Sequence, residues 1–177
     1  MRASPLIFVD EADIKRDVYL TNPNAVSYFA VQIYVSILKK ILTGQTKEEI
    51  KRYCIGVCND QEIPLIVREM VEKSMSNNDS VNLRKPQKGW VCCALYISLY
   101  AFWHYNTFES AMNFVIGEHK GSDTDTNAAI TGALFGGYLG FVAISKEEYT
   151  SQNIVLLSGV IDSIDRIVGD LEVGLIR

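Results

Sequence analysis

Residues 90–103, W-V-C-C-A-L-Y-I-S-L-Y-A-F-W, form a run of fourteen positions without a single charge. Such a run is too short for the roughly 20 apolar residues that cross a bilayer, and its length suits a buried helix. It is apolar on all sides, so it needs cover on all sides, and other helices have to supply it. A second uncharged run, residues 128–144, carries Gly132, Gly136 and Gly140 at four-residue spacing. That spacing suits close helix–helix contact, including contact in lipid. With 17 residues it is also short for a span, and the mean hydropathy of the chain is only +0.08. The expectation is a chain with no membrane segment.

The cover can be read from the rest of the chain. Over residues 23–42, Val26, Phe29, Ala30, Ile33, Ile37, Leu38 and Ile41 recur at intervals of three and four, and Lys39 and Lys40 complement the helix dipole ahead of Gly44. Residues 60–75 repeat the pattern, with Pro64 expected in the first turn. Residues 76–89 read as an exposed loop. Thr107 or Asn106 caps a helix whose Phe108, Ala111, Met112, Val115 and Ile116 face inward. Residues 125–141 form a helix of small residues, and residues 152–168 a last one with Ile154, Leu157, Ile161, Ile164 and Val168 on one stripe. No stretch alternates at period two and no repeat is visible, so the class is all-α. At 177 residues the chain reads as a single domain, 1–177, able to bury roughly 70% of its unfolded surface.

Charge and cysteine usage narrow the function classes. The net charge is −4, with no basic block of the kind that follows a phosphate backbone, so nucleic acid is not an expected partner. Cys54, Cys58, Cys92 and Cys93 suit a reducing cytoplasm. Cys54 and Cys58 stand four apart on an expected helix, but no zinc-type spacing accompanies them, and buried apolar packing is the simpler role.

The densest chemistry lies in G-S-D-T-D-T-N-A-A-I-T-G-A-L-F-G-G-Y-L-G, residues 121–140. Two aspartates, Asp123 and Asp125, stand with threonines directly ahead of the small-residue helix. Thr124, Asp125 or Thr126 can serve as its N-cap, which accounts for one carboxylate without any function. Two carboxylates hemmed in by apolar segments repel each other, and a divalent cation removes the difficulty. Carboxylate and hydroxyl oxygens are hard ligands of the kind Mg²⁺ and Mn²⁺ prefer. Asp123, Asp125 and Thr126 are therefore the candidate metal ligands. The stripe Ala128, Gly132, Gly136 and Gly140 lets a neighbouring helix approach closely.

This stretch resembles the C-terminal metal motif of the ADP-ribosylglycohydrolases, all-helical enzymes related to the dinitrogenase-reductase-activating glycohydrolase. The family pattern is G-G-D-T/A-D-T-N/I-A-A, a small residue, then G-A-L-x-G-A; here Ser122 replaces a glycine. K-G-W-V-C-C-A-L-Y and F-E-S-A-M-N-F-V-I-G-E-H are similar to the helix pair ahead of the motif. L-T-N-P-N-A-V resembles the T-H-P-H/D segment, with Asn22 for the usual histidine, and M-R-A-S-P-L an internal A-M-R-x-x-P-L/I.

The resemblance implies an orthogonal helical bundle corresponding to the C-terminal half of the family fold, and so N-terminally truncated. It implies Mg²⁺-dependent hydrolysis of the bond between ADP-ribose and an acceptor, with Asp123, Asp125 and Thr126 as ligands and the opposing T-D-D ligands in the other half. The substrate would be an ADP-ribosylated protein or a small ADP-ribose compound. Complementation by an N-terminal half or by another copy is then expected, with residues 90–102 or the glycine stripe near the contact. The alternative is an inactive relative that keeps the scaffold for a structural or interaction role. Asp10, Glu11, Glu147 and Glu148 read as solvated charges.

Overall fold

A computed structural model describes residues 2–77, 89–117 and 123–147. The expected loop at 76–89 and the expected helix at 152–168 fall largely or wholly outside them. Among the described residues there are only helices and turns. A 3-10 turn, Ser4–Phe8, leads into α1 (Glu11–Thr21), α2 (Ala25–Leu42), α3 (Lys47–Asn59) and α4 (Leu65–Ser74). Then follow α5 (Val91–His104), α6 (Phe108–Ile116), α7 (Thr124–Leu139) and the short α8 (Phe141–Ile144).

The uncharged run forms the centre, as expected. Helix α5 lies against α2, α4, α6 and α7, and every residue from Leu95 to Phe102 is buried. The chain's own helices bury Cys92, Cys93 and residues 95–102, while Trp90, Val91 and Ala94 are half-buried. Helix α2 carries the expected face inward, with Ala30, Ile33, Ile37, Leu38 and Ile41 buried. It is also long and apolar enough to cross a membrane by length and composition, a feature not singled out in the sequence; half of its residues are buried inside the bundle.

Helix starts follow local chemistry more closely than periodicity. Helix α2 begins two residues later than expected because Asn24, after Pro23, is the cap and its side chain accepts from Ser27 N at 2.8 Å. Helix α4 begins at Leu65 and not at residue 60: Pro64 stands at its N-cap, and the residue before a proline is driven away from helical geometry. Helix α3 starts on a capping box between Thr46 and Glu49. Thr107 caps α6, through Ser110 N at 3.1 Å. Ala111 and Val115 are buried, but Ile116 is 58% exposed, because as the last residue of α6 it has turned off the buried face.

Asp10, Glu11 and Glu147 are less idle than solvated charges would be; Glu148 lies outside the described residues. Asp10 caps α1 through Asp13 N at 2.9 Å, and Glu11 accepts from the Tyr28 hydroxyl and the Gln32 amide, both at 2.6 Å. Glu147 reaches back to the start of α6, where its carboxylate accepts from Phe108 N and Glu109 N. Lys47 ties three helices together. Its ammonium donates to Tyr105 O at 2.9 Å and lies 5.1 and 5.3 Å from the Phe102 and Tyr138 rings; burial pushes its pKa down.

The cysteines behave as apolar core. All four are free, and Cys54, Cys92 and Cys93 are buried. Burial pushes the Cys54 and Cys92 thiols up to about 12, so neither is a thiolate near neutrality.

Candidate metal centre

Helix α7 presents the predicted ligands at its N-terminus. The N-cap is Asp123, and neither Thr124, Asp125 nor Thr126 takes that place, because the helix begins one residue earlier than the periodicity indicates. Asp123 makes no side-chain capping bond. Its carboxylate is therefore not used in the way that would account for it structurally. Asp123 and Thr126 are half-buried, three residues apart and on one face, while Asp125 is exposed in the first turn.

The donor chemistry fits a hard cation. A helix N-terminus carries about half a positive charge, which by itself opposes a cation; two carboxylates outweigh it. Asp123, Asp125 and Thr126 together offer two anionic groups and one hydroxyl. They do not complete a site, since among the described residues no group of three or more His, Cys, Asp or Glu could hold a metal ion.

The buried face of α7 fixes the helix that carries them. Asn127, Thr131, Leu134 and Phe135 lie inward, at spacings of three and four, and the Phe102 ring meets Phe135 edge-on at 6.1 Å. The glycine stripe does not work as expected. A methyl group at Gly132 would lie in ordinary contact with the Phe108 ring, and at Gly136 or Gly140 it would meet nothing within 4 Å among the described residues. The close approach is at Gly137, where it would lie 3.3 Å from Ile41 Cγ2. Gly140, at φ +75°, ends α7 two residues before the expected limit and turns the chain into α8.

A cleft of about 460 Å³ opens between the N-terminal turn, the α1–α2 connection and the head of α5. Arg2, Asp17, Thr21, Asn22, Asn24 and Trp90 are among its walls. The Arg2 guanidinium donates to Asp17 Oδ2 at 3.0 Å, Asp17 O at 2.8 Å and Thr21 Oγ1 at 3.1 Å. Arg2 and Asp17 neutralise one another, leaving amides, hydroxyls and an indole ring, a lining suited to a polar ligand with a flat ring system.

A smaller recess of about 90 Å³ shares Ala3, Val31 and Val91 with this cleft and reaches Ile130 of α7. Ile130 lies seven residues beyond Asp123, about 10 Å along the helix axis. Cleft and candidate metal ligands are thus joined through one helix. Sequence reading reached Asn22 and Asn24 only through the family segment that contains them, Arg2 through the M-R pair and Trp90 through the uncharged run; Asp17 gave no signal.

A family model described as ADP-ribosylglycohydrolase matches residues 1–170. The chain belongs to the ADP-ribosylglycohydrolase family, a hydrolase family, and its all-helical architecture agrees with that fold. No curated protein and no solved structure gives a significant match.

Proposed function

We propose that this chain takes part in Mg²⁺-dependent hydrolysis of the glycosidic bond between ADP-ribose and an acceptor, either a modified protein or a small ADP-ribose compound. Mn²⁺ is the nearest substitute for Mg²⁺. The observation that carries this reading is Asp123: a carboxylate at the head of α7 that makes no capping bond, on the helix that the small recess beside the cleft reaches at Ile130.

In this reading Asp123 and Asp125 supply charge and Thr126 a neutral oxygen to one side of the metal site. A bound Mg²⁺ supplies Lewis acidity and orients sugar hydroxyls and a water. The cleft holds the nucleotide, with Trp90 offering a ring face and Asn22, Asn24 and Thr21 offering hydrogen bonds. Trp90 and Val91 open α5, whose rigid, buried body fixes that wall.

In this reading, as the family resemblance implies, the opposing ligands are supplied by a second polypeptide or another copy. The free thiols support a reducing, cytoplasmic setting. Nucleic acid and membrane are not partners in this reading. Asn22 in place of the family's usual histidine favours a second reading, an inactive relative with a structural or interaction role.

Release of free ADP-ribose from ADP-ribosylated arginine and serine peptides separates the two. The full chain, alone or mixed with a polypeptide carrying a T-D-D motif, is expected to release it with Mg²⁺ and not with EDTA. No release in either mixture supports the inactive reading.

A further inference from the structure

Ser27 carries a buried hydroxyl that nothing in its own helix uses. It lies on α2, lines the cleft and is 8% exposed. Its N–H donates to Asn24 Oδ1 at 2.8 Å, which fixes its backbone, but its hydroxyl makes no hydrogen bond among the described residues. The buried Ser74 and Ser98 behave differently, since each donates to the carbonyl three residues back, at 2.6 and 3.0 Å. Buried hydroxyls are ordinarily bonded in this way. Nor is the Ser27 hydroxyl sealed in the core, as that of Thr131 is; it stays open to the cleft.

The head of α5 opens on the same cleft with donors left over. Gly89, Trp90 and Val91 line it, and Trp90, the N-cap, makes no side-chain capping bond. The Cys93 and Ala94 amides both turn onto the Trp90 carbonyl, at 3.0 and 3.2 Å, and among the described residues the Val91 amide has no acceptor. The 14-residue α5 places about half a positive charge at this end. Arg2 adds a guanidinium whose Nη1 also makes no hydrogen bond among the described residues. Asp17 balances the Arg2 charge, so the helix end supplies the surplus.

A peptide N–H, a hydroxyl and a guanidinium are all donors, and an anion with several acceptor oxygens answers them. We infer that the Val91 N–H, the Ser27 hydroxyl and the Arg2 guanidinium bind a phosphate group, so that the cleft takes a phosphorylated nucleotide in preference to the bare nucleoside. This rests on the proposed function in one respect, that the cleft holds the nucleotide; it does not depend on the metal ligands.

Titration calorimetry of the full chain in EDTA, with ADP-ribose and with adenosine, tests it. ADP-ribose is expected to bind at least about tenfold more tightly than adenosine, since hydrogen bonds to a charged group are the strong ones. Val91→Pro removes the N–H at a position where helices accept proline, after a Trp90 already in extended geometry. It should weaken ADP-ribose binding about tenfold and leave adenosine unchanged, whereas Val91→Ala, which keeps the N–H, should bind as the parent does. Ser27→Ala should weaken ADP-ribose at least about threefold, again with adenosine unchanged. ADP-ribose no tighter than adenosine overturns the inference and leaves the nucleotide reading standing; binding of neither removes that reading as well. An equal loss in Val91→Ala and Val91→Pro overturns the phosphate contact. Should Val91→Pro lose helical content by circular dichroism, Ser27→Ala and Arg2→Gln decide, and undiminished ADP-ribose binding in both contradicts the inference.

Discussion

The hydroxyl of Tyr34 donates to the carbonyl oxygen of Ile130 at 3.0 Å, across 96 positions of sequence, and the Ser4 hydroxyl lies 3.0 Å from the same phenol. One buried side chain thus joins the N-terminal turn, α2 and the helix that carries the candidate metal ligands. Tyr34→Phe should lower stability by about 1 kcal/mol, measured by urea unfolding, since it leaves the Ser4 hydroxyl without this partner.

The same residue sets a pH dependence. Burial pushes the Tyr34 phenol up to about 12 against an ordinary value of 10.0, although the Ser4 contact opposes the shift. Between these values the unfolded chain gives up the proton and the folded chain keeps it. The contribution is therefore complete below pH 10 and is lost as pH rises towards 12. Tyr28, raised to about 12 by burial and by Glu11, acts in the same sense. Unfolding curves collected from pH 9 to pH 12 should fall less steeply for Tyr34→Phe than for the parent chain.

Glu147 holds the start of α6 through Phe108 N at 2.8 Å and Glu109 N at 2.7 Å. Losing a side chain that satisfies the first N–H groups of a helix costs about 1 kcal/mol. Glu147→Ala should lose that amount in urea unfolding, and Glu147→Gln, which keeps one acceptor oxygen, should lose less.

Two neighbouring glycines of α7 should respond in opposite ways. Alanine is favoured over glycine inside a helix by about 1 kcal/mol, and at Gly136 the added methyl meets no atom within 4 Å among the described residues. Gly136→Ala should stabilise. At Gly137 the methyl would press on Cγ2 of Ile41, a buried β-branched residue with little rotamer freedom in a helix. Gly137→Ala should be neutral or destabilising, and thermal melts of the two variants compared side by side read the difference.

The Thr131 hydroxyl is buried in α7 without a hydrogen-bond partner. An orphaned polar group of this kind costs about 1–3 kcal/mol, and valine has nearly the same shape. Thr131→Val should be neutral or stabilising in urea unfolding and should leave Mg²⁺ affinity unchanged.

Much of the architecture was legible because burial imposes a period. The α5 run could only be central, and the α2 stripe named its own buried face. Boundaries were less legible, since they depend on single side-chain bonds: Asn24 rather than Pro23 sets the start of α2, and Gly140 divides what reads as one helix at residues 125–141. The glycine stripe misled because four-residue spacing shows which residues share a face, not what stands opposite; the close neighbour lies at Gly137. The D-T-D-T run identified the candidate ligands from local chemistry. The cleft was hidden because Arg2, Asp17 and Trp90 meet only through the packing of three distant segments.

Asp123 and Asp125 as ligands of a divalent cation are the centre of the account, and calorimetric titration with Mg²⁺ tests them most directly. The full chain should bind Mg²⁺, and the Asp123→Ala, Asp125→Ala variant, folded to the same helical content by circular dichroism, should show no binding heat. Equal binding by both proteins, or no binding by the parent chain, would contradict it.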